Sequence, residues 1–164
     1  MIHRNEKGIY YMKKISVIIP MYYEEKVADE CYKKTKNVLD SINNEYDYEI
    51  IFINDGSKDK TLDILSSIAM ENNKVKVISF SRNFGHQAAV TAGLQYVTGD
   101  AIVIIDADLQ DPPELIPELI KYWEEGYDDV YARRRSREGE TFLKKFTSKM
   151  YYRVLQKMTK SEIQ

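Results

Sequence analysis

Cysteine is almost absent from this chain of 164 residues, where Cys31 stands alone. One thiol cannot build an intrachain disulfide framework, which fits a reducing compartment. Cys31 also falls inside a helical pattern, where a structural role is expected. Histidine is nearly as scarce. His3 and His86 lie far apart in sequence, and that spacing argues against a zinc site. Neither sign of charge dominates. The 24 Lys and Arg are set against 26 Asp and Glu, for a formal net charge of −2. That balance gives no electrostatic case for nucleic acid as a partner. No run of about 18 apolar residues occurs, so no membrane span is expected within the chain. Met1 to Gly8 has no apolar core and does not read as a signal peptide. We read residues 1–11 as a disordered leader.

What is present is ordinary in bulk and specific in detail. Hydrophobic residues make up 43% and charged residues 30%, which suits one soluble domain with a real core. The most informative stretch runs from Ala101 to Glu114. Ala101-Ile102-Val103-Ile104-Ile105 is short, apolar and β-branched, and reads as a buried strand. It ends in Asp106-Ala107-Asp108. In open parallel sheets, ligands bind at the carboxyl ends of strands. Period-two spacing lets Asp106 and Asp108 point the same way. Two such carboxylates repel unless a cation joins them, and Mg²⁺ or Mn²⁺ shared with substrate phosphates meets that need. Alone, Asp-x-Asp also fits a helix cap after a strand. Pro112-Pro113-Glu114 then opens a helix.

The remaining pattern alternates strand and helix. Strands are expected at Ile15–Ile19, ended by Pro20, then at Glu49–Ile53, Val75–Phe80, Ala101–Ile105 and Asp129–Ala132. Helices are expected at 25–41, 59–70, 87–97 and 115–124. This order specifies an α/β fold: a three-layer α/β/α, Rossmann-like domain with a mostly parallel sheet. The turn Pro20-Met21-Tyr22 replaces the Gly-x-Gly-x-x-Gly of dinucleotide oxidoreductases.

Loops after the strands gather on one edge of such a sheet. That edge collects Glu24, Glu25, Asp55, Arg82, Asn83, Asp106, Asp108 and the run Arg133 to Arg137. Carboxylates suit a cation, and arginines can grip phosphate bidentately. Asp55 can hydrogen-bond a base or ribose. Taken singly, Asp55-Gly56-Ser57 also reads as a helix-capping turn, and the arginine run as a solvated face. Together they point to a phosphate ligand held with a metal.

Four motifs carry a resemblance. They are Val17-Ile18-Ile19-Pro20-x-Tyr22-x-Glu24-Glu25, Asn54-Asp55-Gly56-Ser57, Ser81-Arg82-Asn83-Phe84-Gly85, and Asp106-Ala107-Asp108-Leu109-Gln110-Asp111-Pro112-Pro113-Glu114. On these, the chain resembles the inverting GT-A-fold glycosyltransferases of family 2. It is most similar to the polyprenyl-phosphate branch, which includes dolichyl-phosphate mannose synthases and bactoprenol glucosyltransferases. The resemblance implies a donor nucleotide-diphosphate sugar, with UDP-glucose the expected one, and a polyprenyl phosphate acceptor. It implies that Pro20, Tyr22, Glu24, Asp55, Arg82 and Asp106 bind the nucleotide. It further implies that Asp106, Asp108 and Gln110 hold Mg²⁺ or Mn²⁺, and that Arg133 and Arg137 face donor or acceptor phosphates in catalysis. One position departs from the family pattern: Tyr23 stands where Asn is usual.

The catalytic domain is expected over residues 12–137. Residues 138–164 form a second region. Phe142, Phe146, Met150, Val154 and Leu155 recur there at helical spacing, with Lys144, Lys145, Lys149, Arg153 and Lys157 on other faces. Such a basic amphipathic helix can lie on a membrane surface or pack on protein. The resemblance implies a membrane-anchored enzyme on the cytoplasmic face, with self-association possible. Rival readings keep the fold but make the acceptor a sugar hydroxyl, or reduce the chain to a nucleotide-binding module without catalysis. Phosphoryl transfer is disfavoured, since no late strand ends in the Lys that chemistry needs.

Overall fold

Alternation in residue type decides which way each strand faces, and β3 (Lys14–Met21) shows it most plainly. Ile15, Val17, Ile19 and Met21 join one buried cluster, while Ile18 joins another on the opposite face. A computed structural model describes residues 2–4, 10–110 and 112–132. Apart from Ala132 these lie in one compact unit, Met1–Tyr131; the rest of the second unit falls outside the described residues.

Strands β4 (Asp47–Asn54), β5 (Val75–Ser79) and β6 (Ala101–Ile104) join β3 in an all-parallel sheet of order β5-β4-β3-β6. Val17 pairs with both Ile50 and Val103, which aligns the three central strands. Helices α1 (Ala28–Ser41), α2 (Thr61–Glu71) and α4 (Ile116–Glu124) contribute Cys31, Leu39, Leu65, Ile116 and Ile120 to the larger core. Helix α3 (His86–Leu94) covers the other face, where Ala89 packs with Ile18, Ile51 and Ile53. The expected three-layer α/β/α arrangement is therefore present. Gly93 makes that packing close: a Cβ there would sit 2.7 Å from Ile18 Cγ2.

Three expectations need correction. Residues expected to form a leader without structure contain a short antiparallel pair, β1 (Ile2–Arg4) with β2 (Tyr10–Met12). Tyr10-Tyr11-Met12 has residue types that suit a strand. Pro20 does not end its strand, which continues to Met21 against Asn54. Bonding direction alternates along a strand, and the Ile18 carbonyl accepts from Ile105 N–H on the β6 side at 3.1 Å. The N–H that Pro20 lacks would face that same side, where β6 has already ended, so no ladder bond is lost. Finally, Asp129–Ala132 is not a strand. Suitable residue types do not suffice without a partner strand, and Tyr131 is 83% exposed.

At the amino ends of the strands lies a buried polar knot. Glu49 on β4 is 1% exposed. Its Oε1 accepts from Ser16 Oγ at 2.7 Å, Thr98 N–H at 2.7 Å and Thr98 Oγ1 at 2.9 Å. Its Oε2 pairs with Lys76 Nζ at 2.7 Å and lies 3.4 Å from Lys14 Nζ. These donors outweigh the cost of burial and hold the Glu49 carboxyl down at about 2. Gly99 N–H closes the knot on Ser16 Oγ at 2.9 Å. Thr98 and Gly99 lead directly into β6, so this knot seats the strand that carries Asp106 and Asp108.

Candidate functional site

The alternation of β6 continues past its last ladder residue. Val103, Ile105 and Ala107 are buried; Ile102, Ile104, Asp106 and Asp108 are exposed. Both carboxylates line one cleft of about 340 Å³, with Asp106 toward α3. The Asp108 carboxylate also accepts from Gln110 N–H at 3.0 Å, a local turn that orients it. Leu109 between them holds a left-handed backbone, φ 58°. Such strain in a non-glycine residue clusters at functional sites.

Across the cleft, two motifs interlock. Gly56 takes φ 71°, and a Cβ there would lie 2.2 Å from the Arg82 carbonyl carbon. Only glycine allows the Asn54–Ser57 turn to touch the Ser81–Asn83 backbone this closely. Asp55, 4% exposed, seals the contact. Its Oδ1 accepts from Phe84 N–H at 2.7 Å and its Oδ2 from Gly85 N–H at 2.9 Å. The same carboxylate thus lines the cleft and sets the start of α3. The first residue of α3, His86, faces Asp106, with Nδ1 3.9 Å from its Oδ1.

The loop after β3 is stitched to the loop after β4 and to the first residue of α2. Tyr23 N–H donates to Ser57 Oγ at 3.0 Å and Glu24 N–H to Thr61 Oγ1 at 3.0 Å. The Glu24 carbonyl receives Val27 and Ala28 N–H, which starts α1 later than the expected residue 25. Desolvation, followed by the charges of Asp108 and Asp59, pushes the Glu24 carboxyl above its ordinary value. Negative charge is thus concentrated at this end of the cleft.

Of the expected site residues, Pro20, Tyr22, Glu24, Asp55, Asp106 and Asp108 all line the cleft. Arg82 does not; its guanidinium lies over the Phe84 ring, 4.9 Å from the centroid. Gln110 follows on the adjacent turn and is not among the lining residues. Arg133 and Arg137 lie outside the described residues, as does the expected helix of 138–164. The cleft also takes in Met21, Asn83, His86 and Ala89. Sequence reasoning weighed His86 only as a zinc ligand. Its signal was position: it follows Gly85 directly, in a loop after a strand. Among the described residues no three His, Cys, Asp or Glu side chains are placed to hold a metal alone, and no helix is long and apolar enough to cross a membrane.

The glycosyl transferase family 2 model matches residues 16–164. YkcC of Bacillus subtilis, an uncharacterized glycosyltransferase, is 53% identical over 148 residues, covering 90% of this chain and 45% of that protein. A prophage bactoprenol glucosyl transferase homolog of Escherichia coli is 42% identical over 151 residues, covering 92% of this chain and 49% of its own. The chain thus spans about half the length of these relatives. Among solved structures, the mannosyltransferase PcManGT from Pyrobaculum calidifontis, in complex with GDP-Man and Mn²⁺, superposes with a TM-score of 0.58 at 22% identity. That match covers 68% of this chain and 32% of that one. S. aureus TarS 1-349 with UDP-GlcNAc gives a TM-score of 0.56 at 23% identity, covering 76% and 37%. These likenesses establish a GT-A fold, and with the family match over the sheet and its loops they give one assignment: the chain belongs to glycosyl transferase family 2.

Proposed function

We propose that this chain carries the donor site of an inverting transferase that moves a sugar from a nucleotide-diphosphate sugar, UDP-glucose in our reading, to a polyprenyl phosphate. The observation that supports it most is the convergence of Asp106 and Asp108 on one cleft that Tyr22 and Asp55 also line. Relatives named bactoprenol glucosyl transferase, 40–42% identical over 151 residues, support the lipid phosphate as acceptor.

The donor set fits Mg²⁺ or Mn²⁺. Asp106 and Asp108 supply two hard oxygens, and no third His, Cys, Asp or Glu side chain closes the site among the described residues; Gln110 is proposed to join them. Positions are left for phosphate oxygens and water, as such cations prefer. When bound, the cation would offset charge on the leaving diphosphate. The chain's own residues do the rest. Tyr22 offers a ring face to the base, and Asp55 an acceptor near it. His86 and Asn83 bring N–H donors toward the diphosphate. Arg133 and Arg137 are proposed to meet phosphate as well. A polyprenyl phosphate, with a second pKa of about 6 by analogy with phosphate monoesters, is already ionised near neutral pH. In-line attack then needs no strong general base and inverts the anomeric centre. We place the reaction at the cytoplasmic face of the membrane.

A thermal-shift titration of the full-length protein with UDP-glucose, GDP-mannose and UDP-N-acetylglucosamine, each with and without Mn²⁺, tests the donor site. A ligand at a hundred times its dissociation constant adds about 2.7 kcal/mol. The expected result is a Mn²⁺-dependent shift with one base class, followed by sugar transfer to undecaprenyl phosphate. No shift with any donor overturns the reading.

A further inference from the structure

Tyr23, like Leu109 beside Asp108, is a cleft-flanking residue whose side chain and backbone disagree. Its φ is 59°, in the left-handed region that a bulky aromatic residue seldom occupies and that Asn tolerates far better. The backbone there is constrained from outside. Tyr23 N–H is tied to Ser57 Oγ at 3.0 Å, and the next amide, Glu24, to Thr61 Oγ1 at 3.0 Å. The loop would hold this conformation with a smaller residue. The ring therefore needs a separate explanation.

Its contact supplies one. The Tyr22 and Tyr23 rings meet edge to face, with centroids 4.6 Å apart and planes 74° apart. Tyr22 lines the cleft and is 45% exposed; Tyr23 does not line it and is 48% exposed. A half-exposed tyrosine would otherwise be free to change rotamer. An edge-to-face neighbour restricts it to one orientation. Preorganising a binding surface lowers the entropy lost when a ligand arrives.

We infer that Tyr23 is a positioning residue: it tolerates a left-handed backbone in order to hold the Tyr22 ring in a fixed pose, and this tightens binding of the donor nucleotide. The inference rests on the donor-site reading given above. It assigns Tyr23 no contact with the sugar and no part in the chemistry. Loss of the ring should therefore raise the nucleotide dissociation constant and the donor KM, and leave kcat within about twofold.

The experiment compares Tyr23→Asn and Tyr23→Phe with the unmodified full-length protein, using UDP and GDP with Mn²⁺ as probes. Tyr23→Asn keeps the backbone conformation and removes the ring. Tyr23→Phe keeps the ring and removes only the hydroxyl. For whichever nucleotide the unmodified protein binds, Tyr23→Asn should weaken binding between about twofold and about tenfold, the span of an edge-to-face ring contact. Its thermal midpoint should stay nearly unchanged, because relief of backbone strain offsets the lost contact. Tyr23→Phe should retain the original affinity. Undiminished binding by Tyr23→Asn overturns the role of Tyr23 alone, as does a Tyr23→Phe affinity as poor as that of Tyr23→Asn. If the unmodified protein binds neither nucleotide, the donor-site reading falls and this inference falls with it.

Discussion

Replacing Glu49 by Gln offers the sharpest energetic test of how this site is held. Gln keeps an acceptor for Ser16 and Thr98 but removes the charge facing Lys76 and Lys14. The Glu49 carboxyl falls from an ordinary 4.5 to about 2 in the folded chain. A depression of that size corresponds to about 3 kcal/mol of stability. Because the folded value lies below the unfolded one, this stability is complete above about pH 4.5 and is lost as pH falls toward 2. Side-chain exposures of 29% for Lys14 and 44% for Lys76 let salt screen part of it. We therefore expect Glu49→Gln to cost about 2–3 kcal/mol at pH 7 in low salt. Urea unfolding at several pH values would read it. Asp40, Asp47 and Asp59 also titrate low, but they do so in both proteins, so the quantity that matters is the gap between the two curves. The gap should close between pH 4.5 and 2, and narrow in high salt. A gap that is absent at pH 7, or equally wide at pH 2.5, would refute the account.

Gly56→Ala should destabilise the fold by about 3 kcal/mol or more, since it combines a left-handed backbone with a clash against Arg82; chemical denaturation measures it. Glu24→Gln should stabilise the protein at pH 7 and change nothing well below pH 4.5. The folded chain disfavours the ionised Glu24, so the penalty appears only as the carboxyl loses its proton; midpoints at pH 3.5 and 7 decide it. Asp106→Asn and Asp108→Asn should each abolish sugar transfer while leaving the unfolding free energy within about 1 kcal/mol, since both side chains are exposed. Full turnover in both variants would remove the metal assignment.

Much of this molecule was legible before its structure. Apolar runs ended by polar turns marked the four strands of the parallel sheet, and the carboxylates after the fourth run do line the cleft. Such runs and turns are local properties of the chain. What stayed hidden was non-local. No spacing rule announces that Asp55 binds the amides of Phe84 and Gly85, about thirty residues on. Glu49 stood at the edge of an apolar run and gave no sign that three segments would converge on it. Asp129–Ala132 looked like a strand because residue type was judged without a partner. Tyr23 was visible as an unusual choice, but its left-handed backbone depends on Ser57 in the next loop and Thr61 at the start of α2.

The register of the sheet has a kinetic consequence. Joining β3 to β4 brings together positions 33 apart, as in Ser16 with Glu49, whereas seating β6 beside β3 spans 86, as in Lys14 with Asp100. Closing the longer loop costs about 1 kcal/mol more in chain entropy. The wall that carries Tyr22 and Asp55 can therefore form while the segment bearing the carboxylate pair is still searching, and contacts of such long range slow folding. During synthesis from the amino terminus, the half of the cleft with Tyr22 and Asp55 would be assembled first and the half with Asp106 and Asp108 last.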